Sequence, residues 1–144
     1  MRRMFRMPDQ PDVVTASDLS EIYRRYIDCL NRRALAELES FVDAEVVHND
    51  RRIGLDGYRD MLAGNYRDIP DLHFTIDRLA CEPPHVAARL WFDCHPSGFF
   101  LGVPVNGSRV SFAENVFYAF EGRKIARVWS VIDKAAVEDQ IRGG

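Results

Sequence analysis

Cysteine is scarce in this 144-residue chain. Its three cysteines, Cys29, Cys81 and Cys94, are scattered and never fall in CxxC spacing. That pattern excludes a disulfide scaffold and a cysteine-based zinc site, and it fits reduced thiols in a cytoplasmic protein. A basic excess is missing too. The net charge of −3 leaves no field to hold a nucleic acid, and the pairs Arg24-Arg25, Arg32-Arg33 and Arg51-Arg52 read as solvated faces. No apolar run approaches the roughly 20 residues of a membrane span. Basic Met1–Met7 is followed by Pro8-Asp9-Gln10-Pro11 rather than an apolar segment, so no secretory leader is expected. The chain holds no GxSxG elbow, phosphate-binding loop or GxGxxG turn, and its histidines show no HxxxH or HxH spacing. No metal set is therefore expected.

What is present is ordinary in amount: 47% hydrophobic and 28% charged residues, the balance of a globular domain. At this length folding buries roughly 70% of the surface of the extended chain, enough for a core and a pocket. Residues 1–15, with two prolines, read as a flexible arm, and 16–144 as one domain. Ser17 is a candidate N-cap. Leu19, Ile22, Tyr23, Tyr26, Ile27 and Leu30 then recur at three- and four-residue steps, predicting an amphipathic helix to about Arg33. A short helix over Leu35–Val42, a short strand at Val46–His48, a loop at Asp50-Arg51-Arg52 and a helix over Asp56–Tyr66 follow. The period then changes. Leu72, Phe74 and Ile76 alternate with polar residues, and Val86–Cys94, Phe99–Val103, Val110–Phe120 and Ile125–Ile132 read as further extended segments. Asn106-Gly107 marks a tight turn. Ala135–Ile141 reads as a terminal helix with Asp133 as its N-cap. Helices first and an antiparallel meander after them indicate an α+β fold, with the helices on one face of a curved sheet.

Alternation along a strand assigns faces. Val110, Phe112, Glu114, Val116, Tyr118 and Phe120 share one face, so Glu114 is an acid in an apolar row. A buried charge is costly unless paired, solvated or in use. In a dry cavity its pKa would rise into the range of a general acid or base; paired with Arg89 or Arg109, or at a wet rim, it would be structural. Asp93 and His95 share a strand face, so Asp93 could orient the imidazole, although a histidine beside Pro96 also suits a surface role. His48-Asn49-Asp50 is a polar cluster after an apolar run, suited to binding or to a solvated turn. In the last strand Ala126, Val128, Ser130 and Ile132 fall together, opposite Ile125, Arg127, Trp129 and Val131. Apolar residues on both sheet faces predict a homodimer.

Gly98-Phe99-Phe100-Leu101-Gly102-Val103-Pro104, Asn106-Gly107, Phe120-Glu121-Gly122-Arg123-Lys124-Ile125, Trp129, Asp133 and the Ile69-Pro70-Asp71-Leu72 turn together resemble the SnoaL-like polyketide cyclases, from about Leu19 to Ile141. The resemblance implies a cone-shaped α+β barrel, with N-terminal helices in the concave face of a strongly curved antiparallel sheet, and dimerisation through the outer sheet face. It also implies ring closure of a polyketide by aldol chemistry without metal or cofactor. The family's acid, just after the tryptophan of the last strand, falls on Ser130, and its assisting histidine falls on or near Val116. The acid–base role then passes to Glu114, with His95 or Asp93 assisting and Ser130 hydrogen-bonding the substrate. Val116 faces the same chamber, Tyr118, Trp91 and Tyr66 form aromatic walls, and His48 and Trp129 complete the substrate-binding candidates. The expected partner is a small hydrophobic carbonyl compound, turned over by a cyclase, isomerase or dehydratase type of reaction. The alternative is a non-catalytic ligand-binding or interaction module on the same fold.

Overall fold

A computed structural model describes residues 13–143. The chain begins with helix α1, Ala16–Asn31. Its N-cap is Thr15 rather than Ser17, because Thr15 and Asp18 satisfy each other's backbone N–H groups in a capping box, worth about 1 kcal/mol. Most of the expected N-terminal arm, residues 1–12, lies outside the described residues. The apolar stripe read from the sequence is the buried face of α1. A 3₁₀ turn, Leu35–Ser40, stands where a short helix was expected. Strand β1 is Val42–His48 and β2 is Arg51–Arg52. The two form a hairpin, His48 opposite Arg51, where a loop was expected. Asn49 (φ 46°) and Asp50 (φ 66°) supply the turn, since short polar side chains tolerate the left-handed region a two-residue hairpin demands.

Helix α2 spans Gly54–Asp68. Gly54 sits at φ 67°, where an added Cβ would stand 3.2 Å from the Ala44 carbonyl oxygen. Strands β3 (Thr75–Glu82), β4 (His85–Cys94), β5 (Phe99–Phe100), β6 (Val103–Pro104), β7 (Val110–Glu121) and β8 (Lys124–Ile132) follow, then helix α3, Lys134–Gly143. Strand β3 starts three residues later than the alternation suggests. The Asn31 side chain takes both backbone groups of Phe74, at 2.7 and 2.9 Å, so no ladder partner is left there.

The main sheet runs β2-β1-β8-β7-β4-β3 and is open, with β5-β6 as a separate two-stranded piece. Its ladders are antiparallel apart from β1–β8, which is parallel. The strand after the first helices therefore returns to flank the last hairpin, an addition to the expected meander. The architecture is α+β, as the element order implied. One apolar core joins α1, α2 and the inner sheet face: Leu19, Tyr23, Leu38, Val46, Leu90 and Ile125 are all buried. A bulge in β8 corrects one face assignment. The register shifts between Ala119 and Phe120, with Phe120 opposite Ile125 and Ala119 opposite Arg127. The extra residue turns Ile125 inward, completely buried, instead of outward with Trp129. No helix among the described residues is long and apolar enough to cross a membrane.

Candidate active site around Glu114

Strand β7 delivers Glu114 to the inner face, between buried Phe112 and Val116. The register sets Val116 opposite Ser130 and Glu114 opposite Ile132, so Ser130 is the diagonal neighbour of Glu114. Its hydroxyl donates to Glu114 Oε2. Neither arginine considered as a structural partner reaches this carboxyl. Arg89 binds Asp77 at 2.5 Å, and Arg109 forks onto Asp93 with two bonds of 2.7 Å. Burial therefore pushes the Glu114 pKa above the ordinary carboxylate range, with the Ser130 hydroxyl pulling the other way. Desolvation wins because no cation offsets it.

Glu114 keeps some accessible surface, and that surface opens on a cavity. The cavity measures about 70 Å³ and is walled by Ile69, Leu72, Phe74, Phe92, Phe112 and Ile132. Phe100 of the β5–β6 hairpin and Asn65 of α2 complete the lining. Phe100 packs on Phe112 with ring centres 5.1 Å apart and planes tilted by 41°. Carboxyl oxygen Oε1 has no hydrogen-bond partner among the described residues, where every buried side-chain polar atom has one. That oxygen is open to the cavity.

Four tyrosines lie on the helix side of the acid. Tyr23 and Tyr118 share a hydroxyl bond of 2.9 Å, and Tyr26 and Tyr58 one of 2.7 Å. Burial raises the pKa of each, and the negative charge of Glu114 adds to the effect. The phenols stay neutral, so the surroundings of Glu114 contribute dipoles and no counter-charge. His48 points inward and meets the Tyr58 ring edge-to-face at 6.3 Å. Desolvation lowers its pKa, which favours the neutral imidazole. The next residue, Asn49, accepts from Ser130 N at 2.8 Å and donates to Ser130 O at 3.3 Å. This side chain takes over the ladder where β1 ends and so fixes Ser130 against Glu114.

The expected residues therefore divide. Glu114, Ser130, Val116, Tyr118 and His48 face the interior. Asp93 and Trp91 lie on the exposed parity of β4, opposite buried Leu90, Phe92 and Cys94, His95 is exposed just past the strand end, and none of the three assists Glu114. Asp93 does not orient His95 either. Its carboxyl is held at a pKa of about 2 by the Arg109 guanidinium, while His95 Nδ1 lies 2.8 Å from Asp71 Oδ2. Trp129 is on the outer face beside Phe117. Tyr66 donates to the Leu30 carbonyl at 2.8 Å, beneath the Arg33 guanidinium, away from the Glu114 cavity. Asp133 caps α3 by accepting from Ala136 N at 3.1 Å, as expected. Cys94 is buried and its thiol is pushed up to about 12, so it is unreactive at neutral pH. Sequence reasoning passed over Tyr23, Tyr26, Tyr58 and Asn65 as site residues, and offered Asn49 only as part of a polar cluster. The signal for the tyrosines was there: hydroxyls on apolar helix faces that must find partners when buried. Among the described residues, no group of three or more His, Cys, Asp or Glu side chains could hold a metal ion.

This arrangement can move a proton: an uncompensated interior carboxyl with one free oxygen facing an apolar cavity. Comparison with known proteins agrees with the fold. The family model of the SnoaL-like polyketide cyclases matches residues 20–141. A SnoaL-like polyketide cyclase from Agrobacterium tumefaciens str. C58, solved by crystallography, is 52% identical over 90% of this chain and 99% of its own, with a TM-score of 0.84. More distant likenesses share the fold. TsrD from Streptomyces laurentii is 22% identical over 90% of this chain and 98% of its own, with a TM-score of 0.77. AclR from Streptomyces galilaeus, a candidate hydroxylase, is 20% identical over 90% of this chain and 99% of its own, with a TM-score of 0.73. No curated protein matches the sequence. With most of its length matched by the family model and half its residues shared with a solved member, the chain belongs to the SnoaL-like polyketide cyclase family.

Proposed function

We propose that this protein is a cofactor-independent acid–base enzyme acting on a small hydrophobic carbonyl compound, with Glu114 as its proton-transfer group. The observation that carries the reading is the Glu114 carboxyl: interior, without a cation, and open through Oε1 to an apolar cavity. Such a group is destabilising as structure and useful as a base. In the step it supports, the ionised carboxylate takes a proton from the carbon beside the carbonyl. The C–H bond breaks, an O–H bond forms on Glu114, and the electron pair moves into the enolate. The enolate is then reprotonated elsewhere, expels a leaving group or attacks a second carbonyl, which gives the isomerase, dehydratase and cyclase outcomes. Ser130 holds Oε2 and leaves Oε1 to act. The family supports a substrate of polyketide kind, and the cavity size limits the part that enters to a few atoms.

A second reading is a non-catalytic binding module, favoured by Ser130 and Val116 standing where the family's acid and histidine would be. Exchange of α-protons in D2O separates the two. Under the enzymatic reading the wild type speeds exchange of small cyclic ketones and Glu114→Gln slows it by about 10²–10⁴-fold. Equal rates for the two proteins would leave the binding module.

The reading includes a cytoplasmic homodimer. Phe117 and Val131 are 63% and 70% exposed on the outer face, and a groove of about 560 Å³ runs beside Phe117 and Trp129. A second copy of the chain laid on this face would remove the patch from water.

A further inference from the structure

Glu114 is one of two polar residues on the cavity wall, and the other is Asn65. Along α2 and its C-cap the positions Tyr58, Leu62, Asn65 and Ile69 follow one another at steps of four, three and four residues. Tyr58, Leu62 and Ile69 are buried. Asn65 occupies a position on that stripe where an apolar side chain would be expected, yet it is exposed, because the stripe there borders the mouth of the cavity. Glu114 stands in the same relation to the apolar row of β7. Two elements far apart in sequence each break their apolar pattern once, and both breaks border the same small space. The Asn65 amide makes no side-chain hydrogen bond among the described residues, while its backbone carbonyl accepts from Ile69 N at 2.9 Å. An asparagine with its main chain committed to the helix and its amide unengaged is available to a ligand.

We infer that Asn65 is the carbonyl-binding residue of this site, donating from Nδ2 to the oxygen of a small, otherwise apolar ketone while Glu114 addresses the carbon beside it. This rests on the reading of Glu114 as the proton-transfer group. The two poles divide the work of enolisation. As the α-proton passes to Glu114, the C=O electron pair shifts to oxygen, and the growing negative charge there meets an N–H donor instead of hydrocarbon. The remaining walls, Phe74, Phe92, Phe112, Ile69, Leu72 and Ile132, can hold a hydrocarbon skeleton and nothing charged. The volume of about 70 Å³ is far below the roughly 300 Å³ of a pocket that encloses a drug-sized ligand. The substrate class is therefore a compact monocarbonyl compound, or a larger one that inserts only its ketone end and leaves the rest beyond Phe100. Enclosed oxyanion donors give about 10²–10³-fold in turnover. Asn65 sits at a wet mouth, where water competes, so its contribution is nearer tenfold.

The test uses the full-length protein and 2-cyclohexen-1-one labelled with ¹³C at its carbonyl. In the wild type the bound carbonyl resonance moves downfield, as hydrogen bonding requires. In Asn65→Leu, which continues the apolar stripe, the ketone still binds but the downfield shift is lost and exchange turnover falls about tenfold, with KM changing much less. Asn65→Asp, which offers an acceptor to the enolate oxygen, falls further. Glu114→Gln keeps the downfield shift and loses exchange. A shift that persists in Asn65→Leu overturns the inference, and so does a ketone that perturbs no residue around the cavity. If Glu114→Gln exchanges as well as the wild type while Asn65→Leu still loses the shift, the enzymatic reading fails and the carbonyl site stands. If Glu114→Gln abolishes exchange and Asn65→Leu alters neither shift nor rate, the enzyme stands and the carbonyl site fails.

Discussion

The two faces of the sheet treat their acids in opposite ways. On the outer side Asp77 pairs with Arg89 and Asp93 with Arg109, and Asp71 lies 2.8 Å from the His95 ring. These pairs are largely exposed and contribute little, because water screens them. On the inner side Glu114 has a serine hydroxyl, neutral phenols and hydrocarbon. The contrast is the support for the role proposed for Glu114. Asp77 and Asp93 are matched on the outside, and on the inside a carboxyl is kept without a cation in the place where leaving it so costs most.

Breaking the inner acid gives the largest expected effect. Glu114→Gln lowers exchange turnover by about 10²–10⁴-fold, yet raises stability at pH 7. Burial raises the Glu114 pKa, so the folded chain holds that proton more tightly than the unfolded chain. Wild-type stability therefore falls as pH climbs from the ordinary carboxylate range through the raised pKa. Thermal denaturation should show Glu114→Gln melting roughly 2–5 °C above the wild type at pH 7, with the gap closing below about pH 4. A variant that melts lower at pH 7 would mean the carboxylate is stabilised by something the inner face does not contain.

Breaking the outer face should change assembly and leave chemistry alone. Phe117→Asp places a charge in the exposed apolar patch, and light scattering should then report a monomer where the wild type is a dimer. Exchange per site should be unaltered. A monomeric wild type would remove the outer face from the account without touching Glu114.

Ser130→Ala sharpens the contrast from inside. It removes a donor to the carboxylate, so the Glu114 pKa rises further and the pH–rate profile moves to higher pH, with turnover at neutral pH reduced about tenfold or less. Asn49→Ala should follow in the same direction, more weakly, since Asn49 acts on Ser130 through its backbone. The smallest effect belongs to the outer acids. Asp93→Asn should leave exchange unchanged, and any loss of rate there would restore Asp93 to the site.

Much of this was legible from local pattern. The apolar steps of α1, the parity of β4 and β7, and the lone acid at position 114 follow from side-chain period alone. What stayed hidden depended on partners distant in the chain. The parallel pairing of β1 with β8 joins segments about 80 residues apart, and no local period encodes it. The bulge in β8 inverts the parity of Ile125, and it follows from sheet geometry. Trp91 and Asp93 share one face of β4 as read, but which face meets the helices is decided by packing. Asn65 escaped notice because the helix was read as ending at Tyr66. The helix runs on to Asp68, and its cap residue Ile69 completes the stripe on which Asn65 is the odd residue.

The most direct measurement is a pH titration of the Glu114 side-chain carboxyl by ¹³C NMR, with Glu114→Gln assigning the resonance. The expected midpoint lies clearly above the roughly 4.3 of an ordinary glutamate and moves higher still in Ser130→Ala. A midpoint at or below the ordinary value would mean the carboxyl is hydrated or charge-paired in solution, and the central claim would be wrong.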